Sequence, residues 1–184
     1  VTPALSVDLE QRLEARTATV TVLGLGYVGL PLSVAFARAG FSVRGIDVDP
    51  RKIQTLRAGR SYVVDVPQDH LAQVVESGQF VPSMDYASLA GSDVVVISVP
   101  TPMTRMKQPD ISYIVAAAEG IVPHLRPGML VILQSTTYPG TTQNDVRPIL
   151  ERSGLRAGTD FYLAFVPERI NPGDREHTID RIIK

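Results

Sequence analysis

Residues 18–49 read ATVTVLGLGYVGLPLSVAFARAGFSVRGIDVD. Ala18 to Leu23 is a short run rich in β-branched residues that stops at a glycine, the pattern of a buried strand. Tyr27 to Ala39 is apolar nearly all round, as expected of a helix packed into an interior. Pro31 falls in its opening turn, where a missing N–H does no harm, and Gly40 ends it. Phe41 to Ile46 reads as a second strand. Strand, glycine turn, helix and strand within about 30 residues make one βαβ unit. The turn itself, Gly24-Leu25-Gly26-Tyr27-Val28-Gly29, is a G-x-G-x-x-G placed directly after a strand and at a helix start. In that setting Gly24 permits the tight turn, Gly26 leaves the backbone open to a diphosphate, and Gly29 lets the helix press on the strand. The free N–H groups and the dipole of the helix start attract the same anion.

The alternation continues outward. Upstream, Leu5 to Arg16 carries charges at helical spacing and reads as a leading helix that either docks on the domain or forms a tail. Downstream, Asp49-Pro50 starts a helix through Leu56 that ends at Gly59. Asp69 to Ser77 is a further helix, Phe80 and Val81 a short strand, and Tyr86 to Ala90 a turn or two. Asp93 to Val99, Met129 to Gln134 and Phe161 to Val166 are strands, separated by helices over Ile111 to Leu125 and Thr141 to Ser153. Arg175 to Lys184 is charged and helix-like. This order predicts an α/β fold of the Rossmann type: one domain with a doubly wound, mainly parallel sheet of about six strands and right-handed crossovers. Residues 1–17 are expected to be a helical extension of a domain spanning 18–184.

Composition removes whole classes of function. The 184 residues carry 18 Lys+Arg against 19 Asp+Glu, a net charge of -1, so there is no basic footprint for nucleic acid. No apolar run reaches the ~18 residues of a membrane span. The first twenty residues are too polar for a signal-peptide core and too acidic for a transit peptide, which points to the cytoplasm. Gly 14 and Pro 14 stay below the level that marks disorder. With Cys 0 there is no disulfide, no thiolate metal site and no cysteine nucleophile within these residues. His70, His124 and His177 lack metal-ligand spacing, so no metal is expected. Asp93 and Asp110 read as residues that begin elements.

Asp47 ends the second strand, 18 residues past Gly29. A carboxylate there accepts hydrogen bonds from the ribose hydroxyls of adenosine and repels a 2′-phosphate, favouring NAD over NADP. The plainer alternative is that Asp47 opens a turn with Asp49 and Pro50. Arg51 and Lys52 are cations that either touch the adenosine edge or accommodate a 2′-phosphate. Three other strand ends carry polar, proline-stiffened text: Val99-Pro100-Thr101-Pro102, Gln134 to Gly140, and Val166 to Gly173. Ligands of open α/β sheets sit beyond the carboxyl ends of the strands. These loops therefore form either the rim of a nicotinamide and substrate site or ordinary proline-fixed turns.

The segments GLGYVGLPLSVAFARAGFSVRGIDVD (24–49), DVVVISVPTP (93–102), STTYPGTT (135–142) and VPERINPGD (166–174), in this order and spacing, resemble the UDP-glucose/GDP-mannose dehydrogenase family from Ala18 to Lys184. The Y-P-G-T-T continuation is similar to the branch acting on UDP-N-acetylhexosamines, above all UDP-N-acetylglucosamine 6-dehydrogenases; UDP-glucose enzymes read closer to S-T-V-P-V-G. The resemblance implies oxidation of a sugar CH2OH to a carboxylate with two NAD+, through aldehyde and thioester stages. It implies that Tyr27 and Val28 contact the cofactor diphosphate, and that Asp47 meets the ribose with Lys52 and Arg51 nearby. Thr101 and Thr136 would line the nicotinamide half. Glu168 and Thr136 would be catalytic, Glu168 helping to activate water for thioester hydrolysis, while Arg169 and Ile170 would hold the UDP-sugar. The family's nucleophilic cysteine, its Lys and Asn on a long central helix, and its nucleotide-sugar domain lie downstream of the matched region. The resemblance thus implies a fragment that binds NAD without turnover, from a longer, homo-oligomeric parent enzyme. Two other readings stay open: a stand-alone NAD-binding or sensing module, and a two-domain NAD dehydrogenase of 3-hydroxyacid type. The latter leaves STTYPGTT and VPERINPGD unexplained.

Overall fold

The computed structural model describes residues 4–104 and 107–167. Six strands run parallel: β1 (Thr19–Leu23), β2 (Ser42–Ile46), β3 (Phe80–Ser83), β4 (Val94–Ile97), β5 (Leu130–Leu133) and β6 (Tyr162–Phe165). Their order across the sheet is β3-β2-β1-β4-β5-β6. The chain works outward from β1 to β3, then returns and works outward the other way from β4, so the order reverses between β1 and β4. Beyond the carboxyl ends of these two strands the loops diverge and a crevice opens. The expected six-stranded α/β architecture is borne out.

Helices α1 (Ala4–Glu14), α2 (Gly29–Arg38), α3 (Pro50–Arg57), α4 (Gln68–Glu76), α5 (Ser112–Ile121) and α6 (Arg147–Leu150) flank the sheet. All four residues of β4 are buried, as are the last four of β1. Strands covered on both faces have no solvent side, which is why they read as unbroken apolar runs rather than alternating ones. Pro50 at the start of α3 and the Asp49 side chain, which accepts the Arg51 N–H, begin that helix as the sequence implies.

The leading helix docks. Leu9 is buried against Val20, Val22, Leu32, Val94 and Val96. Three residues on, Arg12 reaches Asp93 with Nη1 to Oδ1 and Nη2 to Oδ2 both at 2.8 Å. Asp93 is only 2% exposed and also accepts the Thr19 N–H at 2.8 Å and a short contact from Arg126. It does more than begin a strand. A buried carboxylate is tolerable only when its charge is matched, and here two guanidinium groups and an amide match it.

Local helix chemistry departs from expectation in two places, each at a proline. The stretch Thr141 to Ser153 is a composite: a π turn over Thr142–Val146, then α6, then a 3-10 turn over Glu151–Ser153. Pro148 has no N–H to give to the preceding turn, and its ring crowds the carbonyl four residues back. The backbone widens there, and the Arg147 N–H bonds to the Thr142 carbonyl, five residues back. Pro123 similarly converts the end of the Ile111 to Leu125 helix into a 3-10 turn, Val122–His124. The charged stretch from Arg175 to Lys184 lies outside the described residues.

The outer rim of β3 is interrupted at its middle. The Val43 N–H bonds to the Gln79 carbonyl and the Asp47 N–H to that of Ser83, so odd-numbered positions pair with β2 and Pro82 faces outward. Pro82 has no N–H to offer there, and its carbonyl accepts Nε of Arg57 at 3.1 Å.

Candidate functional site

The crevice is built on the glycine turn. Gly24 has φ +90, and a Cβ on it would stand 2.4 Å from the Ser98 carbonyl oxygen. Only glycine leaves β1 this way, hard against the end of β4. A Cβ on Gly29 would meet the Gly24 carbonyl at 1.8 Å, so glycine is what lets α2 close on β1. A Cβ on Gly26 would meet nothing within 4 Å, because Gly26 opens on the crevice. The N-cap position of α2 is Val28, and no side chain caps it. The N–H groups and the positive end of the dipole at this helix start face a space that an anion suits.

Asp47 follows β2 and is 7% exposed. Its Oδ2 accepts the Leu25 N–H and Nζ of Lys52, each at 2.9 Å, and Oδ1 accepts the Asp49 N–H at 2.9 Å. A carboxylate offers about four lone-pair sites. Leu25, Lys52 and Asp49 fill three, which leaves one on Oδ1. Arg51 turns away onto Asp49, with Nε at 3.1 Å and Nη2 at 3.0 Å from its carboxylate. These bonds, the side-chain ones foremost, hold the Asp49 carboxyl below its usual range.

A cleft of about 270 Å³ lies over the carboxyl ends of β1, β2, β4 and β5. Gly24, Gly26, Tyr27, Val28, Asp47, Lys52, Thr101 and Thr136 all line it, with Ser98, Val99, Pro100, Gln134 and Ser135. Of the cofactor residues expected from sequence, Gly29 lies beneath the turn and Arg51 lines neither this cleft nor its neighbour. Glu168, Arg169 and Ile170 fall outside the described residues. The loops after β4 and β5 are tied together, since the Ser135 hydroxyl donates to the Val99 carbonyl at 2.8 Å. Beside them Thr137 and Thr141 share a hydroxyl–hydroxyl bond of 2.8 Å, and the Tyr138 hydroxyl donates to Asp145 at 3.0 Å. Among the described residues no group of three His, Cys, Asp or Glu could hold a metal ion. No helix there is long and apolar enough to cross a membrane.

A second cavity of about 200 Å³ continues from the first, sharing Asp47, Lys52, Val99 and Pro100. Apart from Asp47, Asp49 and Lys52 its walls are mostly apolar, with Leu23, Val48, Tyr86, Tyr113, Ala116 and Ala117 among them. Val48 is 75% exposed, an apolar side chain left facing open space at the mouth. Sequence reasoning did not find this wall, because its residues come from the loop after β2, the turn at Tyr86–Leu89 and α5, which carry no shared pattern. It also missed Tyr62, between α3 and α4, whose hydroxyl donates to the Leu25 carbonyl at 2.5 Å. An isolated tyrosine in a polar loop gives no signal of such a partner.

Residues 18–183 match the pattern of the UDP-glucose/GDP-mannose dehydrogenase family, NAD binding domain. The UDP-N-acetyl-D-glucosamine 6-dehydrogenase of Pseudomonas aeruginosa is 42% identical over 166 residues, covering 90% of this chain and 38% of that protein. The structure of the UDP-N-acetyl-mannosamine dehydrogenase Cap5O from Staphylococcus aureus matches with a TM-score of 0.79 at 36% identity, over 85% of this chain and 38% of its own. A ternary complex of GDP-mannose dehydrogenase from Pseudomonas aeruginosa matches with a TM-score of 0.79 at 31% identity, over 83% of this chain and 36% of its own. The chain therefore spans less than half the length of these relatives. The glycine turn at the head of a parallel six-stranded sheet, the acidic end of β2 and the match over 18–183 converge: the chain belongs to the UDP-glucose/GDP-mannose dehydrogenase family, as its NAD-binding domain.

Proposed function

We propose that this domain serves a nucleotide-sugar 6-dehydrogenase that oxidises a UDP-N-acetylhexosamine to its uronate. The observation that carries the reading is one cleft in which Gly26, Asp47, Thr101 and Thr136 meet over the carboxyl ends of four strands. The identity with a UDP-N-acetylglucosamine enzyme and the STTYPGTT loop support the substrate class.

Gly26, Tyr27, Val28 and the start of α2 would hold the diphosphate of NAD. The free site on Asp47 Oδ1 would accept one ribose hydroxyl, and Lys52 would offer its ammonium to the other. The apolar cavity beyond would take the adenine ring. A buried anion at Asp47 disfavours a further phosphate on that ribose, so NAD is preferred to NADP. Bound there, NAD supplies the hydride acceptor. Thr101 and Thr136 would flank its nicotinamide end, Glu168 would help activate water, and Arg169 and Ile170 would hold the sugar nucleotide. A thioester stage needs a thiol, and these 184 residues contain none, so the thiol must come from beyond them. On this reading residues 1–17 extend a domain at 18–184, and the whole enzyme is a cytoplasmic homo-oligomer.

Calorimetric titration of the chain with NAD+ and NADP+ tests the reading. NAD+ should bind and NADP+ should bind more weakly. No NADH should form with UDP-N-acetylglucosamine; steady NADH formation by these residues alone would contradict it.

A further inference from the structure

We propose that Tyr62 is a positioning residue for the diphosphate turn, fixing the Leu25–Gly26 peptide so that the Gly26-Tyr27-Val28 backbone meets the nucleotide in one orientation. The inference rests on the cofactor reading of the cleft and names a residue that does not itself line it.

Gly26 needs an external brace. With no side chain, and with nothing within 4 Å of where a Cβ would be, it has no packing of its own to hold its peptide planes. Leu25 supplies the brace from both sides. Its N–H donates to Asp47 at 2.9 Å and its carbonyl accepts the Tyr62 hydroxyl at 2.5 Å. The described residues contain no cis peptide, so the N–H of Gly26 points opposite to the Leu25 carbonyl and away from Tyr62. Holding that carbonyl therefore aims the next amide.

The phenol is held in turn. Val63 and Val66, which follow Tyr62 in the same loop, are buried and anchor it. The Ser61 hydroxyl donates to the Val63 carbonyl at 2.9 Å and accepts the Val63 N–H at 3.2 Å. Gln68 spans the loop, accepting the Ser61 N–H at 3.2 Å and donating to the Gly59 carbonyl at 3.0 Å. Burial, with the charges of Asp47 and Asp49 adding to it, pushes the Tyr62 phenol up, so it remains a donor at neutral pH.

Tyr62→Phe keeps the ring and removes only the hydroxyl. The test titrates parent and variant with three probes: NAD+, ADP and adenosine, the last lacking any phosphate. ADP and NAD+ should weaken roughly tenfold, the scale of one hydrogen bond removed from a buried acceptor, while adenosine changes less than about twofold. Ser61→Ala loosens the loop and leaves the phenol; it should give the same ranking at smaller amplitude, and serves as the readout if the Phe variant folds poorly. Unchanged ADP affinity in Tyr62→Phe overturns the proposal, as does an equal loss for all three probes, which would mark general loosening. If the parent chain binds none of the probes, the cofactor reading itself has failed. If the parent binds ADP and the variant binds it equally, only the positioning role has.

Discussion

Asp47→Asn separates two jobs that one carboxylate holds. In the free protein its oxygens accept from Leu25, Lys52 and Asp49. An asparagine has one acceptor oxygen, so one side must present its NH2 group to an incoming donor. The less costly orientation keeps the oxygen toward Leu25, which is fully buried, and sets the NH2 against the Asp49 N–H. That leaves one part-buried amide unpaired, about 1–2 kcal/mol. The lost attraction to Lys52, whose side chain is one-third exposed and screened, adds about 0.5 kcal/mol. At about 2–4 °C per kcal/mol for a chain of this size, the melting temperature should fall by roughly 3–10 °C. Binding carries a separate cost. A ribose hydroxyl loses a charged acceptor, worth about 1.5–3 kcal/mol, so NAD+ affinity should fall roughly tenfold to a hundredfold. Discrimination against NADP+ should shrink as the negative charge goes. Differential scanning calorimetry reads the first effect and isothermal titration at 25 °C the second. A lowered melting temperature with unchanged NAD+ affinity would refute the reasoning, leaving Asp47 a brace for the turn with the ribose elsewhere.

The glycines of the turn should divide in the same way. Gly26→Ala fits the fold and should leave melting within about 0.5 kcal/mol of the parent, yet its methyl enters the cleft and NAD+ affinity should drop. Gly29→Ala should lower the melting temperature strongly, because its Cβ lands on the Gly24 carbonyl. Asp93→Ala should destabilise by about 3–5 kcal/mol in urea unfolding, since two guanidinium groups lose their buried partner. Arg12→Ala, at a position about one-third exposed, should cost clearly less. On the acid side, the carboxyls of Asp49, Asp110 and Glu151 sit below the usual carboxylate range, each lowered chiefly by hydrogen bonds. Their stabilisation is complete above the unfolded-state values and is lost as pH falls through the lower folded ones. Melting temperature should therefore hold down to about pH 5 and decline below about pH 4. Glu151→Gln, which removes the titrating charge while keeping an amide oxygen to accept from Arg147 and the Ala157 N–H, should flatten that decline.

Legibility followed the range of the interactions. The glycine turn, the strands and the acidic end of β2 could be read because each is written in a few adjacent residues with one periodicity. Thr101 and Thr136 were legible as strand-end residues, and topology alone brings them into one cleft with Gly26. The partners of Asp93 were not legible: Arg12 lies 81 positions away and Arg126 lies 33 away, and no local pattern links them. Tyr62, 37 positions from the carbonyl it holds, is hidden for the same reason. The π turn before α6 was in principle readable, since Pro148 breaks the ladder of any regular helix through it. The periodicity of the surrounding apolar residues masked it.

Pro82 has a consequence for how copies of this domain meet. Open-ended strand-to-strand stacking needs two receptive flanks per molecule, one to join the copy before and one to join the copy after. Here the β3 flank offers neither a donor nor a free carbonyl at its midpoint, because Arg57 already occupies the latter. A copy laid strand-to-strand on this flank would meet a proline where the ladder needs an N–H, so the β3 flank cannot serve as one of the two. An open-ended ribbon of copies is thereby blocked on the β3 side.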